Sequence, residues 1–361
     1  MSINLKWLAN KKINYERVNK YLAKCEQVNQ FTNQGPLIKK LESYLYKILE
    51  ISDDKEVIVT NNGTSALHAL ASGINHYHNK SLTYATQAFT FPSSVQGPLC
   101  HSVIVDLNND DFSLDLNNVC PLEIDGIIIT NYSGNLVNIN KYEQYCKLHN
   151  KILLFDNAAT AFSTYNNINA CNYGNGSIVS LHHTKPLGFA EGGIIVVDKK
   201  YAYSIRTMIN FGYDNQLGEL SKHSIHGSNY RMSDLNAAYC LSYLKDNYKN
   251  IITKHKQYYQ MYKNAQYKNC IIFPHYYGTD MKDSIDSSNM LDCPFVSFVS
   301  FIFNKDISTN DFPFLTRKYY KPLDLKCTNT LDLYNKIICI PINIDQMGDD
   351  INMVIDYLSQ L

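Results

Sequence analysis

The chain has 361 residues, 45% hydrophobic and 18% charged, with 33 basic and 33 acidic side chains. Zero net charge without a basic run gives nucleic-acid or membrane-surface binding no electrostatic support, and no apolar run approaches the ~20 residues of a membrane span. Met1–Asn10 is too short and polar for a secretory signal, and the 10 cysteines form no C-x-x-C pair. The expectation is therefore a soluble, cytoplasmic protein with reduced thiols, without a disulfide framework or a metal site.

Residues 1–50 read as mainly helical. Tyr15–Gln30 carries an apolar stripe. The turn Thr32-Asn33-Gln34-Gly35-Pro36 leads into a helix over Leu37–Leu49, with Leu37, Leu41, Leu45 and Ile48 on one face. Val57–Thr60 is a short apolar strand, followed by Asn61-Asn62-Gly63-Thr64-Ser65 and a helix from Ala66 to Ile74. Strands follow over Ser102–Asp106, Gly126–Thr130 and Lys151–Phe155, the last ending at Asp156, with a helix over Lys141–His149 before it. Apolar strands alternating with helices indicate an α/β domain with a large, mostly parallel sheet. Ile194–Val197 is a further strand, Tyr201–Ile209 a helix and Asn210–Asn215 a loop. Ser233 caps a helix to Asp246, and Tyr248–Gln266 is read as a separate helix leading into a smaller α/β domain. That division gives a large domain over residues 1–246 and a small one over 247–361, where Phe295–Phe303 and Ile337–Ile342 are strands and Ile351–Leu358 closes the chain.

Four features carry chemistry. Gly63-Thr64-Ser65 lies between a strand and a helix, where backbone N–H groups, the helix dipole and two hydroxyls favour an anion; an ordinary capped turn is an equal reading. Asp156 closes the strand I-L-L-F-D, at the end where α/β sheets present ligand-facing groups; by default such an Asp is a cap or turn residue. Lys185 lies on irregular backbone between two short strands, in S-L-H-H-T-K-P-L-G-F-A-E-G-G (Ser180–Gly193), with Ser180 able to donate to the same anion. Taken alone, it reads as a solvated surface lysine. Phe91, beside Pro92, offers a flat face or a core side chain. An anion cradle, a strand-end carboxylate and a loop lysine together match the needs of pyridoxal 5′-phosphate for its phosphate, ring nitrogen and aldehyde.

At this point the motifs become specific. Asn62–Leu67 (N-G-T-S-A-L), Thr90-Phe91, Asp156–Ala159 (D-N-A-A), Ser180–Lys185 with Glu191–Gly193, and Gly227–Ala238 (G-S-N-Y-R-M-S-D-L-N-A-A) stand in order along the chain. Together they resemble the DegT-type nucleotide-sugar aminotransferases over nearly the whole length. The resemblance implies an aspartate-aminotransferase-like fold (fold type I) and pyridoxal 5′-phosphate as cofactor. Lys185 would bond to the cofactor's aldehyde and move the proton. Asp156 would pair with the ring nitrogen and Phe91 would stack on the ring. Gly63, Thr64, Ser65 and Ser180 would hold the phosphate. Asn229 would reach the phosphate of a neighbouring subunit, which implies a homodimer. Ala159 stands where the family has Gln or His, and Asn157 or a neighbour is a possible substitute. His182 occupies a family position near the cofactor, and a structural hydrogen bond is its expected role.

The reaction implied moves an amino group from L-glutamate to a ketosugar nucleotide. Asp156–Tyr165 and Asn210–Asp214 look most like enzymes that aminate C4 of a 4-keto-6-deoxyglucose carried on dTDP or UDP, giving 4-amino-4,6-dideoxyglucose (viosamine). Thr32, Asn33, Asn210, Tyr213 and Arg231 are candidates for sugar-nucleotide contacts. The alternatives are a 3-ketosugar 3-aminotransferase, and a regulatory protein that keeps the fold without turnover.

Overall fold

The computed structural model describes residues 3, 5–278 and 294–361. Residues 279–293, part of the expected small domain, lie outside that description. Helices α1 (Tyr15–Gln27) and α2 (Pro36–Ile48) precede the main sheet. That sheet comprises β1 (Lys55–Thr60), β2 (Tyr84–Gln87), β3 (Val103–Val105), β4 (Gly126–Thr130), β5 (Ile152–Asp156), β8 (Gly176–Ser180) and β9 (Gly193–Asp198). Two-residue strands β6 (Thr164–Tyr165) and β7 (Ile168–Asn169) make a small hairpin beside it.

The order across the sheet is β1-β9-β8-β5-β4-β2-β3. Pairing is parallel from β8 to β3, and β9 alone runs antiparallel to both its neighbours. The carboxyl ends of β1, β2, β4, β5 and β8 therefore share one edge, where an open α/β sheet collects its ligands. The central strands are buried on both faces, as continuous runs such as I-I-I-T and I-L-L-F require.

Helix α3 (Gly63–His78) lies against the sheet and under α5 (Lys199–Ile209). It is rich in small residues: Ala66, Ala69, Ala71 and Gly73 lie among Leu67, Leu70 and Ile74. A Cβ on Gly73 would lie 2.3 Å from Ile205 Cγ1, so only glycine lets α5 come this close. Helix α3 begins three residues before the expected Ala66, because Asn62 caps it: Ser65 N–H donates to Asn62 Oδ1 at 2.8 Å. Gly63, Thr64 and Ser65 are thus its first turn and not a loop before it.

Helix α4 (Ile139–Leu148) covers the far side of β4 and β5. Past α5, β10 (Tyr213–Asp214) and β11 (Glu219–Leu220) form a short hairpin. Helix α6 then runs unbroken from Asp234 to Lys263. Two helices meeting at residue 246 were expected here. Asn247 instead keeps the helix going, its side chain donating to Tyr243 O at 2.8 Å, and Ile251, Tyr258 and Tyr262 give the second half an apolar face of its own.

Beyond α6 lies an antiparallel sheet of β12 (Cys270–Ile272), β13 (Phe298–Phe303) and β14 (Ile337–Pro341), with α7 (Thr328–Lys336) and α8 (Gly348–Gln360). Its core joins Phe301, Phe303, Ile338, Ile340 and Val354 to Tyr258 and Tyr262 of α6. Leu5 belongs to this second core, and Trp7 packs on Phe298 and Tyr319. Residues 5–14 are not helical. They run from the second sheet back to the first.

Candidate active site

A cavity of about 660 Å³ opens at the carboxyl edge of the main sheet, within the range of small-ligand sites. One wall comes from the strand ends: Asn62, Gly63, Thr64 and Ser65 after β1; Phe91 after β2; Thr130 and Asn131 at the end of β4; Asp156, Ala158 and Ala159 at the end of β5; Ser180 and Lys185 at and after β8. The opposite wall comes from residues 7–11, Ser297, Phe298, Arg317, Tyr319 and Tyr320, and residues 342–344.

Asp156 is buried at 3% exposure. Burial pushes its carboxyl above the usual range, while the Ala158 N–H (3.0 Å) and the charge of Lys185 pull it back. Lys185 sits on residues 181–192, the link between the antiparallel neighbours β8 and β9. Its N–H donates to His182 O (2.8 Å) and its carbonyl accepts from Gly188 (3.0 Å), so a tight turn holds it. Burial lowers its ammonium, and Asp156 opposes that shift. Each charge is thus the other's counter-charge in the enclosed space.

The start of α3 meets Ser180 closely. A Cβ on Gly63 would lie 2.9 Å from Ser180 Cβ and 3.0 Å from its Oγ, so a bare backbone is needed there. Gly63 and Thr64 are the first helical residues, whose N–H groups have no acceptor inside the helix. Ser180 Oγ accepts the His182 N–H at 3.2 Å and keeps its own proton to donate. N–H groups, three hydroxyls and a helix N-terminus around a glycine-sized gap fit a phosphate. Phe91 is half exposed, lines the cavity and meets Tyr320 edge-on at 6.1 Å. The residues present therefore fit pyridoxal 5′-phosphate: an anion cradle, a ring-sized aromatic face, a buried carboxylate and a lysine.

Gly63, Thr64, Ser65, Phe91, Asp156, Ser180 and Lys185, all expected from the sequence, share this one cavity. The other candidates do not line it. Thr32 and Asn33 are exposed in the turn before α2. Arg231 donates to Asn229 Oδ1 (2.9 Å) and Asn210 Oδ1 (2.8 Å) and lies over the Phe211 ring. That cluster flanks the end of β1, where Asn61 Nδ2 donates to Asn229 O at 3.2 Å. Tyr213 is turned onto Gly218 O, at 3.0 Å.

Asn157 does not make up for Ala159. It is fully buried, accepting from Asn131 Nδ2 at 2.7 Å and donating to Ala170 O at 3.4 Å. The hydroxyl facing Ala159 is that of Ser297, 3.5 Å from its carbonyl. His182 has the local role expected of it: Nδ1 accepts the Thr184 N–H (3.2 Å) and Nε2 faces Glu191 at 3.4 Å.

Several cavity residues carry no sequence signal. Lys11 donates to His183 O (2.6 Å), Lys185 O (2.7 Å) and Gly188 O, fastening the lysine loop from the opposite wall. Burial pushes its ammonium down to about 7, against a nearby Cys240. Tyr320 lies close enough to Asp156 for that charge to add to burial in raising its hydroxyl. Arg317 lies over Trp7, 4.5 Å from the ring centroid, and donates to Tyr319 Oη at 2.9 Å.

This arrangement coincides with a match to the DegT/DnrJ/EryC1/StrS aminotransferase family over residues 12–359. The chain belongs to that family. It is similar to dTDP-4-amino-4,6-dideoxy-D-glucose transaminase of Shigella dysenteriae, 29% identical over 230 residues, 62% of this chain and 60% of that one. It is similar to UDP-4-amino-4,6-dideoxy-N-acetyl-beta-L-altrosamine transaminase of Campylobacter jejuni, 25% identical over 350 residues, 89% of each. Among solved structures, DesI in the presence of its TDP-sugar product superposes with a TM-score of 0.78 at 20% identity, over 100% of this chain and 94% of that one. Helicobacter pylori PseC superposes with a TM-score of 0.75 at 18% identity, over 100% and 99%. At such identities these structures establish the fold, the expected aspartate-aminotransferase-like one. DegT-family aminotransferases are sugar-nucleotide transaminases that work with pyridoxal 5′-phosphate. No described helix is long and apolar enough to cross a membrane.

Proposed function

We propose that this DegT-family protein transfers the amino group of L-glutamate to C4 of a 4-keto-6-deoxyglucose carried on dTDP or UDP, giving 4-amino-4,6-dideoxyglucose on the nucleotide. The observation that carries the transaminase reading is the meeting of Asp156, Lys185 and the first turn of α3 in one cavity. The choice of C4 rests on the activities of the Shigella and Campylobacter relatives, both 4-amino-4,6-dideoxy sugar transaminases.

When bound, pyridoxal 5′-phosphate supplies an electron-poor ring that takes up the electrons left when a C–H bond beside the nitrogen breaks. Ser180, Thr64, Ser65 and the N–H groups of α3 would hold its phosphate, and Phe91 would cover its ring. Asp156 keeps the ring nitrogen protonated; that cation offsets the cost of burying the carboxylate. Lys185 is the residue placed to bond to the cofactor's aldehyde. Its Nζ would be the base that takes the proton from Cα of glutamate and, in the second half-cycle, returns one to the sugar carbon. A half-buried lysine with lowered basicity suits a base working near neutral pH. Asn229, off the cavity of its own subunit, is assigned to a second copy, so the active unit is a homodimer. We place the reaction in the cytoplasm.

The purified protein loaded with cofactor should show the visible band of the lysine-bound form, and L-glutamate should bleach it. A protein with no such band is not a transaminase. Lys185→Ala should bind cofactor yet lose turnover by more than a thousandfold; substantial residual activity would remove Lys185 from the role. NMR of the aminated sugar decides the carbon: nitrogen at C3 would replace this reading with the 3-aminotransferase.

A further inference from the structure

Both proposed substrates are anions, and both must bring a reacting atom to Lys185. Glutamate carries a carboxylate at the far end of its short side chain, and the ketosugar carries a diphosphate across the ring from C4. The two anions stand at similar reach from the reacting atom. A single cation beyond the lysine could therefore serve both.

Its lining supplies three such side chains, Lys11, Lys185 and Arg317. Lys11 is turned onto the carbonyls of His183, Lys185 and Gly188. Lys185 is reserved for the cofactor. Arg317 remains. It is exposed, and among the described residues it forms no ion pair with a carboxylate. Its backbone is anchored to β14 by paired hydrogen bonds with Cys339, at 3.0 and 2.8 Å. Trp7 supports the flat guanidinium from one side, 4.5 Å away. One N–H goes to Tyr319 Oη, which leaves the rest of a planar five-donor fork for a carboxylate or phosphate.

Building on the transaminase reading, we propose that Arg317 is the substrate-anion site of this cavity. It receives the side-chain carboxylate of L-glutamate in one half-cycle and the nucleotide diphosphate in the other. Trp7 and Tyr319 are its positioning residues. One cation alternating between the two substrates is consistent with a ping-pong cycle, because they never occupy the cavity together.

Trp7 is the protein's single tryptophan, so its emission reports on this site. Titrate the cofactor-loaded protein with UDP, dTDP and the unreactive dicarboxylate glutarate, reading affinity from the concentration dependence and repeating by calorimetry. Arg317→Met should weaken a nucleoside diphosphate and glutarate alike by tenfold or more, with Arg317→Lys in between. The same variant should raise KM for L-glutamate and erase its advantage over L-alanine as donor. The visible cofactor band, unchanged, shows that the variant is folded. Wild-type affinity of Arg317→Met for either class of probe overturns the shared site while the transaminase reading stands. A wild-type protein that binds none of the probes and is not bleached by glutamate overturns both.

Discussion

At the scale of single residues, the cavity holds ionisable groups against their solvent preference. Asp156 and Lys185 face each other in an enclosed space, and burial pushes both toward neutrality. That is unfavourable for an empty fold and useful for a loaded one, where a cationic ring and a bond to the lysine replace the missing solvent. His255 shows the structural version of the same effect. It is 2% exposed, its Nδ1 lies 2.8 Å from Val296 O, and burial pushes its pKa from the ordinary 6.5 to about 4. The unfolded chain therefore binds more protons between those values. The stability due to a neutral His255 is whole above 6.5 and falls as pH drops toward 4. A gap of that size corresponds to roughly 3 kcal/mol. Urea unfolding of wild type and His255→Leu should show wild type losing about 2 kcal/mol more than the variant between about pH 7 and about pH 5. Parallel pH profiles would refute the assignment.

At the scale of elements, one carboxylate ties two helices together. Asp234, the first residue of α6, is fully buried. It accepts the N–H groups of Gly35 (3.1 Å), Leu37 (2.8 Å) and Ile38 (3.3 Å), at the start of α2. Its own N–H returns to Phe31 O at 2.9 Å. A negative charge at a helix N-terminus, bonded to otherwise orphaned donors, is among the stronger polar contacts available. This explains two motifs at once: the T-N-Q-G-P turn and the D in M-S-D-L-N-A-A are partners across the fold. Asp234→Ala leaves three buried N–H groups unpaired and should cost about 3 kcal/mol in denaturant unfolding, without altering the position of the cofactor band. A loss below about 1 kcal/mol would mean that water satisfies those groups.

At the scale of the whole molecule, the cavity belongs to neither sheet alone. The main sheet contributes the cradle, Asp156 and Lys185. The second unit and residues 7–11 contribute Trp7, Lys11, Ser297, Arg317 and Tyr320. Cofactor binding therefore requires the assembled native state and should stabilise it. Free cofactor at 100 times its dissociation constant should add about 2.7 kcal/mol, seen as a raised unfolding midpoint. Lys185→Ala should show a smaller rise at the same concentration. An unshifted wild-type midpoint would mean that the cradle does not bind the cofactor.

The sequence by itself determined most strands of the main sheet and the chemistry of one wall. The strand-end groups were legible because each lies in a local pattern: an apolar run ending in Asp156, a glycine between strand and helix at Gly63, a lysine among glycines after β8. The continuous α6 was harder to read, because Asp246 and Asn247 look like a break and only contacts on both halves show that the helix continues. The tertiary structure alone decided the opposite wall. Lys11, Trp7, Ser297, Arg317 and Tyr320 are ordinary residues in ordinary stretches, brought to Lys185 by β13, β14 and the extended N-terminal segment. It also decided that Asn157 is a core residue, and that Arg231, Asn210 and Asn229 bind one another. The physical reason is common to these cases. A side chain's secondary structure is set by its neighbours in sequence, whereas its partner is set by which face of the sheet or helix the packed chain brings against it.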